Sequence, residues 1–128
     1  MILGSGIDVV EIARVERALA RDHGRFAARV FTARERAFCE RFARPAPHFA
    51  LRFAAKEAVM KAVGTGWARG VRWADIEVVP DATGGPALEL HGVVAALAAR
   101  RGTARAHLAF SRSRSHALAV VLLEGRDA

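Results

Sequence analysis

The pattern of apolar and polar positions predicts one strand, then a run of helices, and then a strand-rich second half. Residues 2–12 are rich in β-branched side chains and predict the first strand. Four helical segments follow, over residues 13–22, 26–30, 33–42 and 48–63. Gly24 separates the first two, and Gly64 with Gly66 ends the last. The apolar positions of residues 48–63 predict a helix that is largely buried.

Local signals place two of the helix boundaries. Thr32 is followed three residues later by Glu35, which is the pattern of a capping box at a helix N-terminus. Pro45 and Pro47 predict a turn before the long helix, because proline is poorly tolerated inside a helix. The third and fourth helical segments are therefore expected to be separate elements.

The second half combines strands with one helix. Strand patterns cover residues 73–79, 87–90, 104–110 and 116–124, and an alanine-rich helix covers residues 92–101. The glycine-rich segment at residues 81–86 predicts a turn that joins the first two strands into a hairpin. The sequence therefore predicts a single α+β domain over residues 1–128, in which an antiparallel sheet packs with the long central helix.

The composition is that of a soluble globular protein with an anionic partner. Of the 128 residues 52% are hydrophobic, and the formal net charge at pH 7 is +7. This charge predicts binding to nucleic acid, a membrane surface, a phosphorylated cofactor or an acidic protein, and it does not choose among them. Cys39 is the single cysteine, so no internal disulfide is expected, which favours a cytoplasmic location. We expect no signal peptide and no membrane span, because residues 117–123, the longest apolar run near the end, are too few.

Lysine occurs at two positions, Lys56 and Lys61, whereas every other Lys or Arg position holds arginine. A compact ammonium suits contact with one oxygen, whereas arginine favours planar, bidentate partners. Both lysines flank Glu57 on a segment that ends in Gly64-Thr65-Gly66, which suggests a phosphate-handling site. The alternative is an ordinary surface pair between Glu57 and Lys61, worth about 0.3–0.5 kcal/mol.

Two carboxylates extend this hypothesis to a metal. Asp8 lies in an apolar strand, where a carboxylate costs free energy unless it is paired or binds a metal. If Asp8 and Glu57 come together, they repel each other unless a cation lies between them, and Mg²⁺ suits one or two carboxylates plus phosphate oxygens. Lys61 lies one turn beyond Glu57 and could neutralise a phosphate on that metal. A helix C-cap plus a buried, capped Asp8 remains the alternative.

Two motifs carry a resemblance to a known family. Gly-Ile-Asp-x-x-x-Ile-x-Arg at residues 6–14 and Arg-Phe-Ala-Ala-Lys-Glu-Ala-x-x-Lys-Ala-x-Gly-Thr-Gly at residues 52–66 closely resemble those of the bacterial holo-acyl-carrier-protein synthases. These are the small 4′-phosphopantetheinyl transferases. The resemblance implies their fold and the transfer of 4′-phosphopantetheine from coenzyme A to a serine of an apo acyl carrier protein, with release of 3′,5′-ADP. The implied setting is fatty acid biosynthesis.

The resemblance also implies roles for individual residues. Asp8 and Glu57 match the ligands of Mg²⁺, which sits on the pyrophosphate of coenzyme A, and Lys61 matches a lysine that contacts phosphate. Arg44 and Arg52 match basic positions that reach the 3′-phosphate, often from a neighbouring subunit. The remaining implied cofactor-binding positions are Gly64, Thr65, Gly66 and Pro86.

Two further implications concern a departure from the family and the oligomeric state. Arg112 stands where many members have a histidine on the first of the last two strands, so that histidine's role does not transfer.

The chain is about half the length of the pseudo-dimeric transferases, which build one site between two similar halves. The resemblance therefore implies a homotrimer with active sites shared between subunits.

Arginines recur at spacings of three and four early in the chain, at positions 14, 17, 21, 25 and 29. On one helical face they would form a docking surface for an acidic carrier protein, for which Arg14, Arg21 and Arg25 are the candidates. The alternative is an ordinary solvated face.

A nucleic-acid-binding module is the main alternative function, because the chain is strongly basic. The arginines are scattered, however, and no nucleic-acid-binding signature is present, so we expect neither a nucleic acid nor a membrane as partner. A second alternative is an inactive structural subunit, against which the set of Asp8, Glu57 and Lys61 argues.

Overall fold

The computed structural model describes residues 1–64, 66–67 and 70–126, and it has the predicted α+β architecture. The helices are α1 (Ile12–Ala20), α2 (Arg25–Val30), α3 (Ala33–Cys39), α4 (Ala46–Val63) and α5 (Gly92–Arg100). The strands are β1 (Ile2–Glu11), β2 (Ile76–Pro80), β3 (Pro86–Leu90), β4 (Thr103–Arg112) and β5 (His116–Gly125). No helix within these ranges is both long and apolar enough to cross a membrane.

The strands divide into two antiparallel sheets where the sequence predicted one. Across the described residues, β1, β5 and β4 form a three-stranded sheet in that order, and β2 pairs with β3 in a two-stranded sheet. The hairpin is confirmed, with Val78 opposite Leu88. In the larger sheet Asp8 of β1 lies opposite Ala119 of β5. The long helix packs against the larger sheet, as predicted.

Most element ends lie within two residues of the prediction, and three regions need a physical account. Residues 73–75 form a single 3₁₀ turn, and β2 begins after it. The turn predicted at Pro45 and Pro47 is the start of α4 itself, with Pro45 as its N-cap. Proline fits there because the first N–H groups of a helix have no partner within the helix. The capping box is confirmed at the start of α3, which ends at Cys39, earlier than expected.

The arginine stripe is divided between two helices. Asp22, His23 and Gly24 have φ of 58°, 52° and 83°, so the chain turns through the left-handed region between α1 and α2. Arg14 therefore belongs to α1 and Arg25 to α2, and the stripe does not follow a single helical face. The break predicted at Gly24 is confirmed, and it extends over the two residues before the glycine.

β1 crosses α4 in direct contact between the two backbones. A Cβ built on Gly6 would lie 1.9 Å from the carbonyl oxygen of Ala58, and one on Gly4 would lie 2.3 Å from that of Ala62. No side chain fits such a gap, so these two positions require glycine. The close crossing brings Asp8 beside the last turns of α4.

A buried ion pair connects α4 with α3 and β2. Lys56 and Glu35 are both fully buried, and Lys56 Nζ lies 2.8 Å from Glu35 Oε1. Lys56 Nζ also donates to the carbonyls of Trp73 and Ile76, while the carboxylate of Glu35 accepts the N–H groups of Thr32 and Val78. Every charged atom in this cluster is therefore partnered, which is the condition under which buried charges are tolerated.

Candidate active site

Asp8, Glu57 and Lys61 form one group, as the sequence predicted. Lys61 Nζ donates to Asp8 Oδ1 at 2.8 Å and to the carbonyl oxygen of Ile7 at 3.1 Å. Glu57 lies one turn before Lys61 on α4, and its Oε2 accepts the indole N–H of Trp67 at 3.5 Å. The group lies at the surface where β1 crosses α4. Trp67 is a member that sequence reasoning did not identify.

The environment of the group shifts the pKa values of Glu57 and Lys61. The pKa of Glu57 is raised, chiefly because the carboxylate is partly removed from water; the Trp67 hydrogen bond opposes this effect and the negative charge of Asp8 adds to it. The pKa of Lys61 is raised chiefly by its hydrogen bond to Asp8. Lys61 is therefore an ammonium ion at neutral pH.

The donor set of this group fits a magnesium ion. Asp8 and Glu57 offer hard carboxylate oxygens, which Mg²⁺ prefers, and they lie close enough that the charge of one raises the pKa of the other. A cation between two such carboxylates would relieve their repulsion. The chemistry of the two side chains is thus compatible with the ligand role predicted for them.

The glycines that follow α4 have the backbone freedom that a phosphate contact requires. Gly64 caps α4 with φ of 86°, and Gly66 has φ of 62°. Both values lie in the left-handed region that favours glycine. Thr65, also predicted at this site, lies outside the described residues.

Arg101 fixes the position of the α4 C-terminus, and sequence reasoning missed it. Its guanidinium donates to the carbonyl oxygens of Ala62 at 3.1 Å, of Leu3 at 3.0 Å and of Val63. A cation is favoured at the negative end of a helix dipole. No local pattern revealed this role, because Arg101 follows α5 and meets α4 through tertiary packing alone.

Arg52 and Pro86 lie together in a second locus, a pocket of about 200 Å³ under the turn between β2 and β3. Arg52 is 6% exposed, and its guanidinium lies 4.4 Å from the centre of the Phe38 ring. Arg44, also predicted to bind the cofactor, does not line this pocket; it is exposed and lies 3.8 Å from Glu16. Within one chain, Arg52 and Pro86 are therefore brought together and Arg44 is not.

The two loci lie on different sides of α4. Arg52 and Lys56 are one turn apart, as are Glu57 and Lys61, and the second pair is rotated from the first by about 140° around the helix axis. The first side is covered by α3, β2 and β4, whereas the second lies beside β1. Lys56 consequently belongs to the interior, so the hypothesis that both lysines serve a phosphate site is wrong for Lys56 and stays a prediction for Lys61.

Two of the three predicted docking arginines line a groove. Arg14 and Arg21 border a depression of about 260 Å³, which is walled by the apolar side chains of Phe26 and Phe53 among others. Arg25 is exposed at the start of α2 and does not line this groove. The groove combines positive charge at its edge with an apolar floor.

A second acidic group lies on the β2–β3 hairpin. Glu77, Glu89 and His91 place one ligand atom each within 4.8 Å of one another. Arg34 donates to Glu77 at 3.2 Å and to Glu89 at 3.1 Å, so one arginine already pairs with both carboxylates. This group is an ion-pair network in which Arg34 connects α3 with the hairpin, and we assign no metal to it.

Comparison with known proteins identifies one family. The family described as the 4′-phosphopantetheinyl transferase superfamily matches residues 4–121. A holo-[acyl-carrier-protein] synthase of Anaeromyxobacter dehalogenans (strain 2CP-C) is 51% identical over 128 residues, covering 98% of each protein. The crystal structure of holo-[acyl-carrier-protein] synthase from Neisseria meningitidis matches with a TM-score of 0.87 and 34% identity, covering 97% of this chain and 99% of that one.

A further solved structure contains a ligand. The holo-(acyl-carrier-protein) synthase from Bacillus anthracis str. Ames, in complex with CoA (3′,5′-ADP), matches with a TM-score of 0.80 and 38% identity, covering 98% of this chain and 99% of that one. These comparisons give no support to the alternative of a nucleic-acid-binding module.

Proposed function

The chain belongs to the 4′-phosphopantetheinyl transferase superfamily, and we propose that it transfers 4′-phosphopantetheine from coenzyme A to a serine of an apo acyl carrier protein. The serine oxygen bonds to the β-phosphorus of coenzyme A as the hydroxyl proton passes to solvent, the P–O bond to the bridging oxygen breaks, and 3′,5′-ADP leaves with that oxygen. The observation that carries the proposal is the group of Asp8, Glu57 and Lys61 in a chain whose relatives are named for this activity.

The chemistry proposed for this site is electrostatic. Asp8 and Glu57 would hold Mg²⁺, which supplies positive charge to the phosphate oxygens when bound. Lys61 adds a second positive charge and, as an ammonium ion, contributes by stabilising phosphate and not by accepting a proton. Gly64 and Gly66 allow backbone N–H groups to approach the phosphates. Positioning and charge stabilisation are the main demands of phosphoryl transfer.

The nucleotide end of coenzyme A belongs, in this proposal, to the pocket that Arg52 and Pro86 line, and the exposed Arg44 contributes a positive charge outside that pocket. A buried arginine beside aromatic rings suits an adenine nucleotide, because the guanidinium can bind phosphate bidentately while the rings pack against the base. Since Arg52 and Glu57 project from different sides of α4, we propose that one active site takes its carboxylates from one subunit and Arg44 and Arg52 from its neighbour.

Exposed apolar side chains on the outer face of the larger sheet support the proposal that the chain forms a homotrimer. Ile7 and Val9 point away from α4 and are 56% and 54% exposed. Leu118, Val120 and Leu122 of the adjacent strand β5 are incompletely buried as well. A contiguous apolar patch of this kind marks an interaction surface. Burial of this face against further copies of the chain would place neighbouring active-site halves together.

Complementation between inactive chains tests the shared site. Asp8→Asn and Arg52→Ala chains are each expected to be nearly inactive alone, whereas their mixed oligomers should regain part of the activity because some interfaces combine two intact halves. Size-exclusion chromatography with light scattering gives the oligomeric state, and a tag on each chain verifies mixing. A fully active monomer, or verified mixed oligomers without activity, would exclude this arrangement.

The groove bordered by Arg14 and Arg21 is the proposed docking surface for the carrier protein, with Arg25 adding charge nearby. Its positive edge complements an acidic partner, and its apolar floor can receive an apolar side chain of that partner. Charge reversal at Arg14 and Arg21 should raise KM for the carrier protein and leave the affinity for coenzyme A unchanged. A matched loss of coenzyme A affinity would assign these residues to the nucleotide site.

The direct test of the activity is mass spectrometry of an apo carrier protein incubated with the protein, coenzyme A and Mg²⁺. We expect the carrier protein to gain the mass of phosphopantetheine and 3′,5′-ADP to appear in equal amount. No mass change with either a fatty-acid or a polyketide carrier protein would contradict the proposal.

We also propose that residues 1–128 act as one domain in the cytoplasm. Cys39 is a fully buried free thiol, and burial raises its pKa to about 12. A thiol that stays protonated and shielded is compatible with a reducing compartment.

A further inference from the structure

The pocket around Arg52 contains a histidine whose role neither the motifs nor the proposed transfer chemistry accounts for. His48 lies in the first turn of α4, one turn before Arg52, and both residues line the pocket. The His48 ring stacks on the ring of Phe42, with centroids 3.6 Å apart and planes within 15° of parallel. A flat stack of this kind holds the imidazole in one orientation at the pocket wall.

Arg52 is a buried cation whose hydrogen bonding is incomplete. Its Nη1 donates to the backbone carbonyl of His48 at 3.1 Å, and its Nε, with less than 1 Å² of surface, has no hydrogen-bond partner within the described part of the chain. No carboxylate of the described residues pairs with it. A buried N–H without a partner is energetically unfavourable, so a ligand acceptor that reaches the guanidinium would be favoured here. The unpaired positive charge of Arg52 thus favours binding of an anion in this pocket.

A second arginine, Arg112, also acts on the His48 imidazole. His48 has its pKa lowered by burial first and then by the positive charges of Arg112 and Arg52. Arg112 belongs to β4 and Arg52 to α4, so two elements direct positive charge at the imidazole. Among the described residues these two arginines are the charged groups that act on His48, and no acid offsets them. In the free protein His48 is therefore neutral at physiological pH.

We propose that His48 is a proton-linked specificity residue for the phosphomonoester of the nucleotide: a doubly charged phosphate that enters the pocket beside Arg52 is bound together with one proton, which His48 takes up from solvent. This inference rests on the proposed function, because it assigns the coenzyme's 3′-phosphate to this pocket. The phosphate dianion offsets the two arginine charges that disfavour imidazolium, and the face of Phe42 accommodates the cation once it has formed. His48⁺ then becomes a further charged donor to the phosphate.

The sign of the linkage follows from these charges. The affinity for a 3′-phosphorylated nucleotide should rise as pH falls through the neutral range, by up to about tenfold per pH unit, the limit for one linked proton. A nucleotide without the 3′-phosphate should show no such dependence. The phosphate itself titrates near pH 6, so the measurements belong above pH 7, where the ligand is mostly dianionic.

The experiment compares 3′,5′-ADP with 5′-AMP as probes by isothermal titration calorimetry at pH 7.5, in buffers of different ionisation enthalpy. We expect proton uptake with 3′,5′-ADP on the wild-type protein and none with 5′-AMP. His48→Phe keeps an aromatic ring on Phe42 and should abolish the uptake and flatten the pH dependence. His23→Asn, an exposed histidine in a left-handed conformation that Asn tolerates, is the matched control and should leave the uptake unchanged.

A second measurement does not depend on ligand binding. Titration of the His48 ring by NMR in the Arg112→Gln protein should give a higher pKa than in the wild type, because one opposing charge is gone. Equal proton uptake in wild-type and His48→Phe proteins would overturn the inference, even if carrier-protein transfer proceeds. Absence of transfer with intact proton uptake would instead overturn the proposed function and leave the anion site in place.

Discussion

Two lysines of α4 form ion pairs that have the same N–O distance but differ in their exposure to solvent. Lys56 Nζ lies 2.8 Å from Glu35 with both side chains 0% exposed, whereas Lys61 Nζ lies 2.8 Å from Asp8 with the side chains 54% and 15% exposed. Burial lowers the pKa of Lys56, and the hydrogen bond to Asp8 raises that of Lys61. The distance between two charges therefore says little about their role, and the surrounding dielectric decides it.

The interior pair serves the fold, and the surface pair is available for chemistry. Lys56 has all of its contacts within the protein, to a carboxylate and two backbone carbonyls. Lys61 keeps more than half of its side chain in contact with solvent, so its ammonium group can turn to an incoming phosphate without becoming a buried, unpaired cation. Removal of one lysine should consequently affect stability, and removal of the other should affect turnover.

The largest expected effect is on stability, from Lys56→Met. Loss of the ammonium leaves the carboxylate of Glu35 buried without its cation, which costs about 3–5 kcal/mol in the free energy of unfolding. Urea denaturation followed by circular dichroism measures the change. Lys61→Met is the matched control, since it removes the same group from the same helix at the surface, where an ion pair contributes about 0–1 kcal/mol. Equal losses in the two variants would contradict the comparison.

The second effect concerns turnover. Lys61→Met should lower kcat for carrier-protein modification by about 10²–10³-fold, the usual cost of removing one donor that stabilises transition-state charge. Lys61→Arg should recover little of this loss, because a guanidinium differs from an ammonium in shape and hydration. The assay is the initial rate of holo carrier protein formation at saturating coenzyme A. Wild-type kcat in either variant would show that the exposed lysine has no part in the reaction.

The third effect concerns Asp8, which pairs with Lys61, and the neighbouring carboxylate Glu57. Asp8→Asn and Glu57→Gln should each raise the Mg²⁺ concentration that gives half-maximal activity by at least about tenfold, which corresponds to about 1.4 kcal/mol. Removal of the metal with a chelator should stop the wild-type reaction, and added Mg²⁺ should restore it. Glu124→Gln, on β5, is a control carboxylate outside both loci; Glu124 pairs with His107. An unchanged Mg²⁺ requirement in both site variants would remove the ligand assignment.

The smallest effect is the response of the surface pair to salt. A double-mutant cycle of Lys61→Met and Asp8→Asn should give a coupling energy of about 0.2–1 kcal/mol at low ionic strength. At 1 M salt, where the screening length falls to about 3 Å, this coupling should approach zero. The stability loss from Lys56→Met should stay the same at both salt concentrations, because ions do not reach a fully buried pair. A coupling that does not change with salt would mean that Lys61 and Asp8 are more shielded than their exposure indicates.

The helical and strand elements were largely predictable, because the signals for them are local. The capping box at Thr32 and Glu35, the glycine after Val63 and the hairpin turn each involve neighbouring residues, and each was confirmed. The two sheets were not distinguished, since strand patterns do not specify which strands pair. The 3₁₀ turn at residues 73–75 also escaped prediction, because its apolar positions resemble those of a strand.

The candidate site was predictable to the extent that its residues share a short motif. The spacing of Glu57 and Lys61 by one helical turn assigns them to one side of α4 from the sequence alone. Trp67, Arg101 and His48 were missed as contributors to the sites because each acts through contacts that tertiary packing creates. The indole N–H of Trp67 donates to Glu57, and Arg101 donates to carbonyls at the end of α4. The pKa of His48 is lowered in part by the charge of Arg112, which belongs to a strand far away in the sequence.

The sequence by itself determined the family, the α+β class and the chemistry of the motif, because these depend on residue identity and on spacing along one strand and one helix. Tertiary structure alone decided which lysine of α4 is buried and which is exposed. The helix period separates Lys56 from Lys61 by about 140°, but it does not say which of the two sides α3 and β2 will cover. Burial then sets the cost of each charge, and this cost makes Lys56 a structural residue and leaves Lys61 free to act.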